Sequence, residues 1–114
     1  MKNFPVNIDG KEYWISRSIA SVVYVFGIIN NEVCVLANKR GSGVPTNVGK
    51  WNAPSGYLDF NETLEEAACG ECFEETGVKI NPNTLNLMGI DSQPSRTGMQ
   101  NVLVRYWTFI WDAD

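Results

Sequence analysis

The longest apolar stretch of the chain, from Ile19 to Ile29, reads IASVVYVFGII and is rich in β-branched and aromatic side chains. This composition predicts a central β-strand that is buried on both faces of a sheet. Asn30-Asn31 follows, and because asparagine tolerates left-handed backbone conformations, we expect a two-residue hairpin turn there. The segment EVCVLA, from Glu32 to Ala37, then predicts an antiparallel partner strand in which Cys34 is a small core residue.

Shorter apolar segments predict the other strands. Residues 1–18 indicate an extended arm that turns at Asp9-Gly10. Further strands are predicted at 51–58, 85–90 and 101–111. Because it contains Pro54, the first of these three is expected at an edge or a bulge. Segments rich in Gly, Asn, Ser and Pro predict loops at 38–50 and 92–100.

One segment has the periodicity of a helix, from about Glu62 to Thr76. Asn61 is predicted as its N-cap and Gly77 as the residue that ends it. On one side of this helix, small apolar residues are followed by three glutamates, Glu71, Glu74 and Glu75. Like charges at this spacing repel each other by roughly 0.2–0.5 kcal/mol per pair. Since a solvated acidic face would lie opposite the apolar one, we expect these carboxylates to face a protein-lined site and a cation.

The composition is that of one globular domain of 114 residues, with 44% hydrophobic residues and a net charge of −4. The acidic balance argues against a nucleic-acid polymer as partner, although a bound metal would allow a phosphate-bearing small molecule to bind. The chain has no histidine, which excludes Ser-His-Asp catalysis, Cys-His catalysis and imidazole metal ligands. Because there is neither a signal pattern nor a long apolar run, we expect a cytoplasmic protein that does not enter a membrane.

Two cysteines in the helix, Cys69 and Cys72, allow a second interpretation as a redox or zinc pair. The sequence offers no second cysteine pair and no histidine that would complete a zinc site. A redox pair of this spacing usually opens a helix, whereas this one would lie in the middle. The carboxylates are therefore the preferred chemical centre.

The residues from Gly56 to Val78 resemble the signature of the Nudix hydrolase family, G-x5-E-x7-R-E-U-x-E-E-x-G-U, in which U is a bulky aliphatic residue. The positions that carry the resemblance are Gly56, Glu62, Glu71, Cys72, Glu74, Glu75, Gly77 and Val78. Gly70 stands where the family has arginine, and Cys72 is a small version of the aliphatic residue. The predicted strand order from Ile19 to Trp111 is also similar to that of the family.

The resemblance implies an α/β fold: an α/β/α sandwich with a mixed β-sheet, formed by residues 1–114 as a single domain. Family members usually continue past the last strand into a further helix that covers the sheet, whereas this sequence ends at Asp114 without one. The chain would then be a fragment, or a partner subunit would cover the bare face of the sheet. We expect a homodimer.

The resemblance also implies a reaction, the hydrolysis of a nucleoside diphosphate linked to another group by attack of water on phosphorus. Mg²⁺ or Mn²⁺ would be bound by Glu71, Glu74 and Glu75 together with the backbone carbonyl of Gly56, while Glu62 would be structural. Glu71 is the first candidate to orient or deprotonate the water. Hard divalent cations prefer oxygen ligands, so these residues suit the chemistry without any histidine.

For substrate binding and for the level of activity, the sequence gives candidates and alternatives. The candidates for binding phosphate are Lys39, Arg40 and Arg17. For Lys39 and Arg40, a role in solvating the loop is the commoner alternative. Trp51 or Tyr57 would stack on a base or fill the core. Because the family arginine helps to fix the glutamates, Gly70 predicts reduced hydrolysis, and the alternative function is a nucleotide-binding or regulatory module without efficient catalysis.

Overall fold

The computed structural model describes residues 2–39, 51–94 and 101–110 of the chain. The strands within these ranges are β1 (Phe4–Ile8), β2 (Lys11–Ile15), β3 (Ile19–Ile29), β4 (Glu32–Val35), β5 (Asn38–Lys39), β6 (Trp51–Asn52), β7 (Ser55–Tyr57), β8 (Asn86–Asp91) and β9 (Val102–Ile110). The helix α1 spans Leu64–Thr76, and a short 3-10 helix spans Pro82–Thr84. No helix in the described ranges is long and apolar enough to cross a membrane.

The central sheet is mixed and is organised around β3. One edge of β3 pairs in parallel with β9, from Ile19 opposite Val102 to Gly27 opposite Ile110. The other edge is shared by two antiparallel strands, β7 beside the first half of β3 and β4 beside the second half. β8 completes the sheet antiparallel to β9. The α/β class and the mixed sheet predicted from the sequence are confirmed.

Two hairpin turns form where the sequence predicts them. Asn30 and Asn31 join β3 to β4 with φ angles of 52° and 64°. Asp9 and Gly10 join β1 to β2 with φ angles of 51° and 78°, and this hairpin forms a sheet of its own. Positive φ at both central residues gives a turn whose twist matches that of paired strands.

The core lies between α1 and one face of the sheet. Alternate residues of β3 point to this face, among them Val23 and Val25, which are almost fully buried. Ala68 and Cys72 of α1 pack against them, together with Val104 and Tyr106 of β9. The small residues of α1 allow the helix to lie close to the sheet, and this brings its last two turns over β7.

The opposite face of β3, which we call the outer face, is less buried than the sequence predicts. Its side chains are only half-buried: Val22, Tyr24, Phe26 and Ile28. The prediction that β3 is buried on both faces is wrong for this face, because the α-helix of the described residues packs on the other one. Cys34 is also only half-buried instead of lying in the core, since it faces a groove that it shares with Val78 and Ile110 near the end of α1.

Candidate active site

The helix that carries the glutamates begins with a capping box. The Thr63 hydroxyl accepts a hydrogen bond from the Glu66 backbone N–H at 3.0 Å, and the Glu66 carboxylate accepts one from the Thr63 N–H at 2.8 Å. These bonds satisfy two donors that a helix start leaves unpaired. The Thr63 N–H beside the Glu66 carboxylate, with a smaller effect from the Thr63 side chain, lowers the pKa of Glu66. The predicted N-cap Asn61 is therefore wrong: it has a left-handed φ of 65°, and α1 starts at Leu64 instead of Glu62.

Glu62 stabilises the loop just before the helix. Its carboxylate accepts a hydrogen bond from the backbone N–H of Asp59 at 2.8 Å. This contact supports the structural role that the family resemblance implies for Glu62. The sequence did contain the signal for the true cap, because Thr63-x-x-Glu66 is a capping-box pattern.

The other end of α1 is unusual in its charge. Gly77 has a φ of 79°, and its N–H donates to the carbonyl of Phe73 at 2.8 Å, which confirms it as the residue that ends the helix. The last turn contains Glu74 and Glu75 and no basic residue. Negative charge at the C-terminal end of a helix opposes the helix dipole. A cation bound there would remove this unfavourable interaction.

Glu71 lies directly against the backbone of β7. Gly56 has no side chain, and the space where a Cβ would stand is occupied by the carboxyl group of Glu71. Any larger residue at position 56 would displace Glu71 or push β7 away from α1. The requirement for glycine at the start of the family signature is therefore explained in this chain by close contact between strand and glutamate.

Glu75 is held by the neighbouring residue of the same strand. The backbone N–H of Ser55 donates to the Glu75 carboxylate at 3.0 Å. Glu75 is half-buried like Glu71, whereas Glu74 is exposed. Two of the three predicted carboxylates, Glu71 and Glu75, thus contact β7, whereas the third, Glu74, is exposed to solvent. The Ser55 contact involves the main chain and has no signature in the sequence.

The electrostatic environment of Glu71 disfavours the ionised form of its carboxyl group when no metal is bound. Burial raises its pKa, and the negative charges of Glu74, Glu75, Asp59 and Glu62 raise it further. No cation opposes these effects among the described residues that act on Glu71. The charge of a divalent ion would reverse this balance and favour the ionised form.

The carboxylates suit a hard divalent ion, but their side chains do not yet meet at one point. Within residues 2–39, 51–94 and 101–110, no three acidic or cysteine side chains converge closely enough to hold a metal ion. The donor set is nevertheless made of oxygen atoms only, and the Glu71 carboxylate is already in contact with Gly56. Mg²⁺ takes few carboxylates and keeps several waters, so rotation of these side chains is compatible with its binding.

The substituted arginine position, Gly70, is exposed and open. Apart from its chain neighbours and the backbone of α1, no heavy atom of the described residues lies within 4 Å of the position that a Cβ would occupy there. The glycine is therefore not required by packing. It removes a cation from the helix and adds backbone freedom at its centre.

The two helix cysteines behave as core residues and not as a reactive pair. Cys69 and Cys72 are buried and free. Burial raises the pKa of Cys69 to about 11, with a smaller effect from Cys72, and burial also raises the pKa of Cys72. Thiols with raised pKa are poor nucleophiles at neutral pH. Cys72 takes the place of the aliphatic residue of the signature in the core.

The predicted substrate-binding residues are not brought together with the glutamates by the described contacts. Arg17 is exposed in the segment that leads into β3. Arg40 lies outside the described residues, and for Lys39 and Trp51 the structure gives the backbone only. Tyr57 is exposed on β7, where its hydroxyl accepts a hydrogen bond from the Asn101 side chain at 3.3 Å. Tyr57 is thus not a core residue and remains a candidate for stacking.

Solved structures resemble this fold along most of the chain. A MutT/nudix family protein from Enterococcus faecalis superposes with a TM-score of 0.75 at 27% identity, over 86% of this chain and 38% of that protein. The NUDIX domain of Shewanella oneidensis NrtR in complex with ADP ribose gives a TM-score of 0.70 at 20% identity, over 86% of this chain and 63% of that one. The Ap4A hydrolase of C. elegans gives 0.64 at 14% identity, over 87% and 72%.

Similarity to curated proteins is concentrated in a short segment. The chain is 53% identical to the phosphatase NudJ of Escherichia coli over 32 residues, which is 28% of this chain and 21% of NudJ. The match therefore spans about a fifth of the length of that relative. The NUDIX domain model, in contrast, matches residues 19–113, from the start of β3 to beyond β9. This match covers most of the sequence, and the chain belongs to the NUDIX family.

Proposed function

We propose that this protein is a metal-dependent hydrolase that cleaves the pyrophosphate bond of a nucleoside diphosphate linked to another group, a nucleotide or a nucleotide sugar. The observation that carries the proposal is the contact of Glu71 and Glu75 with Gly56 and Ser55. These contacts hold two carboxylates from the same side of α1 against β7, at the edge of the sheet. Residues 1–114 would form a single domain, and the three free cysteines agree with a cytoplasmic location.

In the proposed site, Glu71, Glu74 and Glu75 would hold Mg²⁺ or Mn²⁺ together with the main-chain carbonyl of Gly56. The ion, when bound, neutralises charge on the phosphoryl group and lowers the pKa of water. Glu71 would accept the proton of the attacking water at its carboxylate. Glu71 is the first candidate for this base because its carboxyl group is half-buried against β7, whereas Glu74 is exposed.

The substrate would be bound largely by residues outside the helix. Arg17, Lys39 and Arg40 are the proposed phosphate contacts, and Tyr57 offers an exposed ring beside β7. The similarity to an NrtR domain that was solved with ADP ribose supports a nucleotide-type ligand for this chain. The prediction that no nucleic-acid polymer binds is retained from the acidic composition.

A second candidate function is a nucleotide-binding module with little hydrolysis. Gly70 favours it, because it stands where the signature has a cation, and no cation acts on Glu71 among the described residues. The two candidates are distinguished by incubating nucleoside diphosphate derivatives with Mg²⁺ or Mn²⁺ and measuring the nucleoside monophosphate released. We expect release that requires the metal and is lost in Glu74→Gln/Glu75→Gln. Nucleotide binding by calorimetry without release would support the module instead.

We also propose that two copies of the chain associate through the outer face of the sheet. Val33 and Val35 of β4 continue this face, since they pair with Ile28 and Phe26, and they are 70% and 51% exposed. Trp107 of β9 is 39% exposed on the same face. Exposed apolar surface of this kind is typical of association sites.

A further inference from the structure

Ser21 is a buried polar residue without a hydrogen bond to the described residues. Its side chain is 0% exposed, and its Oγ has no hydrogen-bond partner within residues 2–39, 51–94 and 101–110. Buried hydroxyls are nearly always bonded, so each exception calls for an explanation. Thr108 on β9 is a direct comparison, because it is 2% exposed and its hydroxyl bonds to the carbonyl and the hydroxyl of Thr84.

The strand register places Ser21 next to the carboxylate cluster. Ser21 lies opposite Gly56 in the pairing of β3 with β7. It also alternates with Val23 along β3, so its side chain points to the face that packs against α1. Gly56 has no side chain, and the carboxyl group of Glu71 occupies the space that a side chain at this position would fill. Ser21 and this carboxyl group therefore stand side by side on the same face of the sheet.

The distance between these two positions is set by the sheet. Side chains directly opposite each other in an antiparallel pair have Cβ atoms about 5 Å apart. Since the Glu71 carboxyl group overlaps the position that a Gly56 Cβ would take, its separation from the Ser21 Cβ is of this order. A change of side-chain rotamer brings a hydroxyl and a carboxylate at this separation into hydrogen-bond contact.

We propose that Ser21 is a positioning residue of the metal site, whose hydroxyl donates a hydrogen bond to the Glu71 carboxylate when this carboxylate binds a divalent cation. The bond occupies one Glu71 oxygen and leaves the other for the ion. Ligating carboxylates are regularly fixed in this way by a second group, whose loss lowers metal affinity 10–100-fold. The proposal rests on the metal site of the proposed function and adds to it a residue outside the family signature.

The test compares Ser21→Ala with Thr108→Val, two substitutions that each remove one buried hydroxyl from the core face. Mn²⁺ affinity is measured by calorimetry on the full chain, and stability is measured by urea unfolding in EDTA. Ser21→Ala is expected to lower Mn²⁺ affinity at least about tenfold. Its unfolding midpoint in EDTA stays the same or rises, because the hydroxyl has no partner to lose. Thr108→Val is expected to show the reverse, a lower midpoint and unchanged Mn²⁺ affinity.

The outcomes separate this proposal from the one on which it rests. Wild-type protein that binds no Mn²⁺ would overturn the metal site itself. Wild-type protein that binds Mn²⁺ no more tightly than Ser21→Ala would overturn only the role of Ser21. Equal loss of Mn²⁺ affinity in Ser21→Ala and Thr108→Val would also overturn it, since the effect would then come from core packing in general.

Discussion

Gly56 is the residue at which one added carbon should disturb the site most. In Gly56→Ala the new Cβ overlaps the Glu71 carboxyl group, so either this side chain or β7 must move. We expect a loss of about 1–3 kcal/mol in the free energy of unfolding, together with weaker Mn²⁺ binding. Gly89→Ala on β8 is the matched control, because no described residue other than its chain neighbours lies within 4 Å of its new Cβ. Equal stability of the two variants in urea unfolding would show that Glu71 leaves β7 without cost.

Glu71 should make the metal-free protein sensitive to pH. Its pKa is raised by burial and by its acidic neighbours, so between the unfolded value near 4.5 and the raised folded value the native state binds more protons than the unfolded state. Stability contributed by this group is therefore present at low pH and is lost as pH rises through that interval. In EDTA at pH 8, Glu71→Gln should stabilise the protein by roughly 0.4–1 kcal/mol, the repulsion of two like-charged helix pairs.

The gain from Glu71→Gln should disappear below pH 4 and shrink in high salt, because protonation and screening both remove the repulsion. Urea unfolding of the variant and the wild type at each pH measures this gain in stability. A variant that is less stable than wild type at pH 8 in EDTA would contradict the prediction. Saturating Mn²⁺ should invert the order, since only wild type retains the full set of ligands.

At the scale of the helix, Gly70 combines two effects that a pair of variants separates. Gly70→Ala should stabilise α1 by about 1 kcal/mol through helix propensity alone. Gly70→Arg fits the same open space and adds a cation four residues from both Glu66 and Glu74. We expect tighter Mn²⁺ binding and faster turnover for Gly70→Arg than for Gly70→Ala. Identical metal affinity and turnover in the two variants would mean that the missing arginine does not limit the site.

At the start of α1, two variants distinguish Thr63 from Asn61 as the N-cap. Thr63→Ala removes the side-chain cap of the Glu66 N–H and should cost about 1 kcal/mol of stability. Asn61→Gly should change stability by only a few tenths, because glycine accepts the left-handed φ of 65° at that position. Thermal unfolding of both variants measures the difference. A larger loss of stability in Asn61→Gly than in Thr63→Ala would identify Asn61 as the N-cap instead.

These elements show which features a sequence determines locally. β3, its Asn30-Asn31 turn and the Gly77 end of α1 were predicted because a run of β-branched and aromatic residues, turn residues and a C-terminal glycine act within a few positions. The N-cap was missed because Asn61 and Thr63 are both good caps, and the prediction did not use the glutamate three residues after Thr63, which returns the hydrogen bond. The support of Glu75 by the Ser55 N–H could not be predicted, since it depends on where a main chain passes.

For the whole molecule, burial was predicted less well than secondary structure. An apolar run such as Ile19–Ile29 indicates a strand, but whether its second face is covered depends on what lies across the sheet. The glutamates were recognised from the signature, whereas their contact with β7 is a result of packing between distant parts of the chain. The roles of Lys39 and Arg40 stay predictions.

The outer face should form the contact between two copies of the chain. Val33 and Ile90 are both exposed strand residues, at 70% and 65%, but Val33 lies on the outer face while Ile90 pairs with Val104 on the core face. If two copies associate through the outer face, Val33→Lys should place a charge in the interface and give a monomer. Ile90→Lys should leave the dimer intact. Stable interfaces bury about 800 Å² per partner and exclude unpaired charge from their centre. Light scattering at micromolar concentration measures the mass, and a monomeric wild-type protein would refute the dimer.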